Sequence, residues 1–109
     1  MYTYNITFVM GPQEEETFII WLHQAASAKD SELKDAENLR LQKVIRIGGE
    51  KPDADHGLSI ALQADFTSEL AAEKWGEIVI PKLTGAFMAK FGPNAAFFTT
   101  LLETTAFYE

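Results

Sequence analysis

The sequence holds no cysteine, and only 4 prolines and 2 histidines among its 109 residues. Without cysteine there is no disulfide framework, no thiolate nucleophile and no zinc–thiolate cluster. A chain of this length buries roughly 60–70% of its unfolded surface, so it can fold without such staples. Long apolar runs are missing too: none approaches the ~18–20 residues of a membrane-spanning helix. The segment Met1 to Met10 has no Lys or Arg and alternates in polarity, unlike a signal peptide. The expectation is a cytoplasmic chain forming a single domain over residues 1–109. Positive charge is scarce, with 9 Lys and Arg against 16 Asp and Glu for a net −7. That field repels phosphate backbones and anionic lipid, which argues against nucleic-acid and membrane partners. No nucleophile motif, phosphate-cradling glycine loop or Cys/His cluster is present, and Gly48-Gly49 reads as a turn.

What is present is periodicity. Tyr2, Tyr4, Ile6, Phe8 and Met10 alternate with Thr3, Asn5, Thr7 and Val9, the pattern of a half-buried strand. Gly11-Pro12 breaks it, and Pro12 suits the first turn of a helix over about 12–27, with Glu14, Glu15 and Glu16 at the dipole's positive end. Phe18, Trp21, Leu22, Ala25 and Ala26 form that helix's apolar stripe. Residues 27–38 are polar and fit either a helical extension or an irregular connection. Leu39 to Ile47 reads as a second strand, and its scattered charges (Arg40, Lys43, Arg46) suit a sheet edge. After a loop over 48–56, Leu58, Ile60, Leu62, Ala64 and Phe66 alternate with Ser59, Ala61, Gln63 and Asp65, giving a third strand. Thr67 or Ser68 caps a second helix whose stripe is Ala71, Trp75, Val79, Leu83, Phe87 and Phe91, widened by Ala72 and Ala86. Pro81 falls inside it, and the stripe resumes in phase, so a bent helix is expected rather than a break. Gly92-Pro93 ends it, and Ala96 to Tyr108 reads as a long last strand.

The fold class is therefore α+β, a βαββαβ sandwich with two helices on one face of a four-stranded antiparallel sheet. The predicted core is Ile6, Phe8, Phe18, Leu22, Ile60, Leu62, Val79, Leu83 and Phe87. Thr3, Asn5, Thr7, Ser59, Ala61, Gln63 and Asp65 are left on the open face, which is polar enough to face water; its small groups would also let the sheets of two copies approach, although Asn5, Gln63 and Asp65 would then need hydrogen-bond partners or trapped water. RNA-recognition modules share this element order but need exposed aromatics and basic residues on the central strands, which are lacking here.

Tyr4-Asn5-Ile6-Thr7-Phe8, the Phe18–Leu22 helix core with Trp21, Ala61-Leu62-Gln63, and Phe91-Gly92 followed by Phe97-Phe98-Thr99-Thr100-Leu101-Leu102-Glu103 carry a resemblance over nearly the whole chain. The sequence resembles a family of short bacterial proteins known as a domain of unknown function, within the dimeric α+β barrel (ferredoxin-like) superfamily. The resemblance implies a fold and a homodimer, and favours keeping Pro81 within the second helix; it implies no activity. The superfamily also includes small monooxygenases, which tend to place an Asn on the first strand and a Trp on the second helix. Asn5 and Trp75 occupy similar elements. The histidine that follows in the haem-degrading members has no counterpart, because no histidine lies beyond His56.

Each remaining candidate has a plainer alternative. Trp75 fits a core position, and His23 fits the helix surface better than a catalytic base. Asp53, Asp55 and His56 could together hold a divalent cation, but aspartates fill loops because their side chains bond the local backbone. No metal and no cofactor are expected. The expected function is a non-catalytic homodimer that binds a small molecule or a protein partner. The alternative is a small enzyme with monooxygenase-like chemistry in the cleft between sheet and helices. The final strand motivates the dimer, because Phe97 and Leu101 lie at one parity and Phe98 and Leu102 at the other, so a monomer must expose one set.

Overall fold

The alternation of the first residues becomes strand β1 (Tyr2–Met10) in the computed structural model, which describes residues 1–28, 32–51 and 57–108. A single 3-10 turn over Pro12–Glu14 then leads into helix α1 (Glu15–Ser27), so the helical stretch starts at the proline but tightens its first turn. Three more strands and one long helix follow: β2 (Glu37–Lys43), β3 (Leu58–Phe66), α2 (Glu69–Phe91) and β4 (Ala96–Glu103). The sheet runs β2-β3-β1-β4, antiparallel throughout, with β1 and β3 at its centre. This is the βαββαβ order read from the sequence.

All nine residues of the predicted core are buried. Aromatic rings carry much of it. Phe8 from β1 meets Phe18 of α1 at 5.2 Å between centroids and Phe87 of α2 at 4.7 Å, so both helices lie on the same face of the sheet. Ser68 is the cap of α2, its hydroxyl accepting from the Ala71 N–H at 3.1 Å. Pro81 lies within the helix, as expected. An interior proline costs ~3 kcal/mol. Burial of Trp75, Val79, Leu83 and Phe87 outweighs that, at roughly 1.5–3 kcal/mol for each large side chain. The stripe is widened by Ala72, Gly76 and Thr84, whereas Ala71 and Ala86 are exposed. Residues four apart drift about 40° per step around a helix of 3.6 residues per turn, so the stripe turns toward the side bearing Gly76. A Cβ at Gly76 would stand 2.7 Å from the Tyr4 ring, so glycine is what lets α2 approach β1 here.

Three strand boundaries differ from the sequence reading, the first being that β2 starts at Glu37 rather than Leu39. β2 ends at Lys43 rather than Ile47 and leaves Ile45 and Ile47 exposed. The cause is the length of β3: the Val44 N–H reaches the Ser59 carbonyl, and beyond Leu58 no strand remains to pair with. The chain instead doubles back on itself, with Ile47 bridged to Glu50 around Gly48 and Gly49, both at positive φ. Similarly, β4 stops at Glu103 rather than Tyr108 because its partner β1 stops at Tyr2, opposite Glu103. The long last strand expected over Ala96 to Tyr108 is therefore five residues shorter. In the connection before β2, Glu32–Asp35 is one 3-10 turn that sends Leu33 into the core.

Candidate functional site

Register fixes what the helix-free face of the sheet displays. Thr3 pairs with Asp65, Asn5 with Gln63, Thr7 with Ala61 and Val9 with Ser59. Asp65 is nearly buried there, with its side chain 12% exposed. Thr3 Oγ1 donates to Oδ1 at 2.8 Å, while Asn38 Nδ2 at 2.9 Å and Arg40 Nη1 at 3.2 Å donate to Oδ2. Burial pushes the Asp65 carboxyl upward, but the bonds from Asn38 and Thr3 together with the Arg40 guanidinium outweigh it and hold the carboxyl below its ordinary range. Gln63 Nε2 donates to Asn5 Oδ1 at 3.0 Å, and Asn5 Nδ2 donates to Thr7 Oγ1 at 2.9 Å. The groups that the sequence left in need of partners thus find them within the chain.

Asn38 and Arg40 were missed by the sequence reading as members of this network. Between Glu37 and Arg40 the β2–β3 register shifts, and Asn38 sits there at φ +51°, a left-handed conformation that asparagine tolerates better than most residues. The bulge turns the Asn38 amide toward Asp65. An Asp on a sheet face with an Asn-x-Arg on the neighbouring edge strand was the available signal, but the shifted register hid it.

The polar network stops at β4. Opposite Thr7 stands Phe98, 56% exposed, and opposite Thr3 stands Leu102, 47% exposed. On the helix side, Phe97 opposite Phe8 is still 38% exposed, whereas Leu101 packs against the core. The tail beyond β4 adds Phe107 and Tyr108, 82% and 92% exposed. Exposed apolar surface therefore gathers at one edge of the sheet, on both of its faces.

A second feature lies on the helix side. Between α1 and β2 a cleft of about 360 Å³ is walled mainly by Leu22, Leu33, Leu39, Leu41 and Leu62, with His23 and Arg40 as its polar members. Beside it, a recess of about 300 Å³ between the two helices is bordered by Trp21, Leu33, Val79 and Leu83. Lys82 Nζ and Glu32 Oε1 pair at 2.7 Å on its border, and the Lys82 hydrogen bond lowers the Glu32 pKa. Leu33 separates the two hollows.

The individual candidates separate. Asn5 faces the open side, in bond with Gln63 and Thr7, while Trp75 lies on the helix side, 5.3 Å from Phe66 and 6.0 Å from Tyr4 between ring centroids. Within one chain the two face no common space. Trp75 is a buried core residue, and its indole Nε1 has no hydrogen-bond partner among the described residues. His23 is exposed at the rim of the α1–β2 cleft. Asp53, Asp55 and His56 lie outside the described residues. Among the described residues no group of three or more His, Asp or Glu is arranged to hold a metal, and no helix is long and apolar enough to cross a membrane.

Residues 1–105 match the family described as "Domain of unknown function (DUF4286)". The chain belongs to that family. Among curated proteins none matches. Among solved structures, the chain is similar to a dimeric ferredoxin-like protein from an uncultured marine organism, at 15% identity and a TM-score of 0.67 over 98% of this chain and 97% of that one. It is also similar, at 14% identity and a TM-score of 0.49 over 98% of both chains, to a mutant of MhuD with two manganese protoporphyrin IX bound per active site. For this member of the DUF4286 family, the first likeness and the strand order establish a ferredoxin-like α+β fold.

Proposed function

We propose that this DUF4286 chain works as a non-catalytic homodimer that holds a small apolar molecule. The observation that carries the dimer is the exposed apolar surface of β4. Phe97, Phe98 and Leu102 stand out of a sheet whose central strands have satisfied their own polar groups. Contiguous exposed apolar surface of this kind marks an interaction site. A protein of the same fold from a marine organism is described as dimeric. The guest is suited to the α1–β2 cleft, whose size falls at the lower end of the ~300–1,000 Å³ usual for small-molecule sites and whose lining is largely leucine and alanine. His23 at its rim supplies a polar handle for orientation.

The dimer is tested by light scattering or sedimentation at micromolar concentration. A mass about twice 12.2 kDa is expected, and 12.2 kDa itself would overturn the reading. The guest is tested separately, by thermal shift with a panel of small apolar acids and alcohols, since a ligand specific to the folded state raises the melting temperature. A panel that leaves the melting temperature unchanged would remove it.

A further inference from the structure

The recess between the two helices differs in chemistry from the α1–β2 cleft, from which Leu33 separates it. Its floor belongs to the core, because Leu33 and the α2 residues Val79 and Leu83 are all buried. Alanine makes the room. Ala25 on α1, Ala28 just beyond it and Ala86 on α2 line the recess where longer side chains would fill it. Trp21 adds an indole wall, its ring held by Phe18, Phe87 and Phe91 at 5.7–6.2 Å between centroids. The volume of about 300 Å³ admits about ten water-sized groups at roughly 30 Å³ each. Two charged side chains border this apolar space, Glu32 and Lys82, paired at 2.7 Å. The Lys82 hydrogen bond holds the Glu32 carboxyl below its ordinary range, so both groups are charged at neutral pH.

Neither charge is committed to the core. The Lys82 and Glu32 side chains are 66% and 38% exposed, and an exposed pair of this kind adds little to folding. Lys82 also ends a flexible stem that can swing. Opening the pair therefore costs little, provided each charge finds a new partner. A simple anion satisfies Lys82 and leaves Glu32 alone, and a simple cation does the reverse. A ligand that carries both charges satisfies both, and the closeness of the pair requires those charges to be neighbours. We propose that the recess between α1 and α2 binds a free α-amino acid with a large aliphatic side chain. Its carboxylate accepts from Lys82 Nζ, its ammonium donates to the Glu32 carboxylate, and its apolar body lies on Val79 and Leu83 against Trp21. An α-amino acid holds its ammonium and its carboxylate on one carbon, which matches charges this close. A peptide places them at opposite ends and does not. The site is distinct from the α1–β2 cleft, and the inference depends neither on the apolar guest nor on the homodimer.

The test is calorimetric titration of the full chain with L-leucine and with two analogues that each lack one charge. Leucine should bind. 4-Methylpentanoate, without the ammonium, and 3-methylbutylamine, without the carboxylate, should each bind about tenfold more weakly or worse, because each forfeits one charge-assisted contact. Glu32→Gln and Lys82→Met alter exposed side chains, so the chain should stay folded while its leucine affinity falls about tenfold. Ala25→Leu fills the recess and leaves the ion pair in place, and it should abolish leucine binding with an unchanged circular dichroism spectrum. No leucine binding at millimolar concentration overturns the inference. So do analogues that bind as well as leucine, a leucine affinity unchanged in Lys82→Met, and one unchanged in a folded Ala25→Leu. If Ala25→Leu does not fold, the two charge variants and the analogues decide. The apolar panel that probes the α1–β2 cleft contains no zwitterion, so failure there leaves this site standing, and failure here leaves the cleft standing.

Discussion

The two faces of the sheet are stabilised in different ways. Under the helices, Phe8, Phe18 and Phe87 exclude water completely, and stability there scales with apolar area. On the open face, almost nothing apolar is covered on the central strands, and order comes from directed bonds converging on Asp65 and Asn5. The first mechanism tolerates substitutions that keep volume. The second depends on particular atoms and on protonation. The contrast explains why the open face is ordered without a cover, and why the apolar side chains at its β4 border call for another explanation.

Substitutions sharpen the contrast in descending order. Phe87→Ala should cost about 3–5 kcal/mol in chemical denaturation, since it removes a fully buried ring packed against four others, those of Phe8, Phe18, Trp21 and Phe91. Asp65→Asn should cost about 1–3 kcal/mol, the range for losing hydrogen bonds to a charged group. Its second signature is in pH. The folded-state pKa of Asp65 is depressed, so its contribution is complete above the ordinary value of 3.8 and is lost as pH falls through the lower folded value. The wild type should lose stability on that acid limb faster than Asp65→Asn, and parallel acid limbs would contradict the network. Gly76→Ala gains about 1 kcal/mol of helix propensity but meets the Tyr4 ring, and an overpacking cost of about 1–3 kcal/mol should leave it at or below wild-type stability. Phe98→Ala should change stability by less than about 0.5 kcal/mol where the chain is diluted to a monomer, while weakening self-association.

How legible all this was depended on whether the determinant was local. β1, β3 and the second helix could be read because burial imprints its period directly on residues 2–10, 58–66 and 69–91. Even Pro81 did not obscure the helix, since Val79, Leu83 and Phe87 stay in phase across it. The ends of β2 and β4 could not be read in the same way. Apolar residues continue through Ile45 and Ile47 and through Phe107 and Tyr108, but a strand ends where its neighbour ends, which is a property of the pairing rather than of the segment. The Asp65 network was half visible: parity placed Asp65, Asn5 and Gln63 on one face, but the bulge that swings Asn38 and Arg40 toward Asp65 leaves only a weak local sign, an asparagine at a strand start. The α1–β2 cleft had no sequence signal, because its walls are ordinary core leucines.

The most direct check of self-association through β4 is the solution mass of the wild type beside Phe98→Lys, measured at the same micromolar concentration. Phe98 is exposed in the single chain, so a lysine there leaves the fold intact and adds a like charge to each copy at the proposed contact. The wild type should measure about twice 12.2 kDa and the variant 12.2 kDa, whereas equal masses for the two would contradict the account.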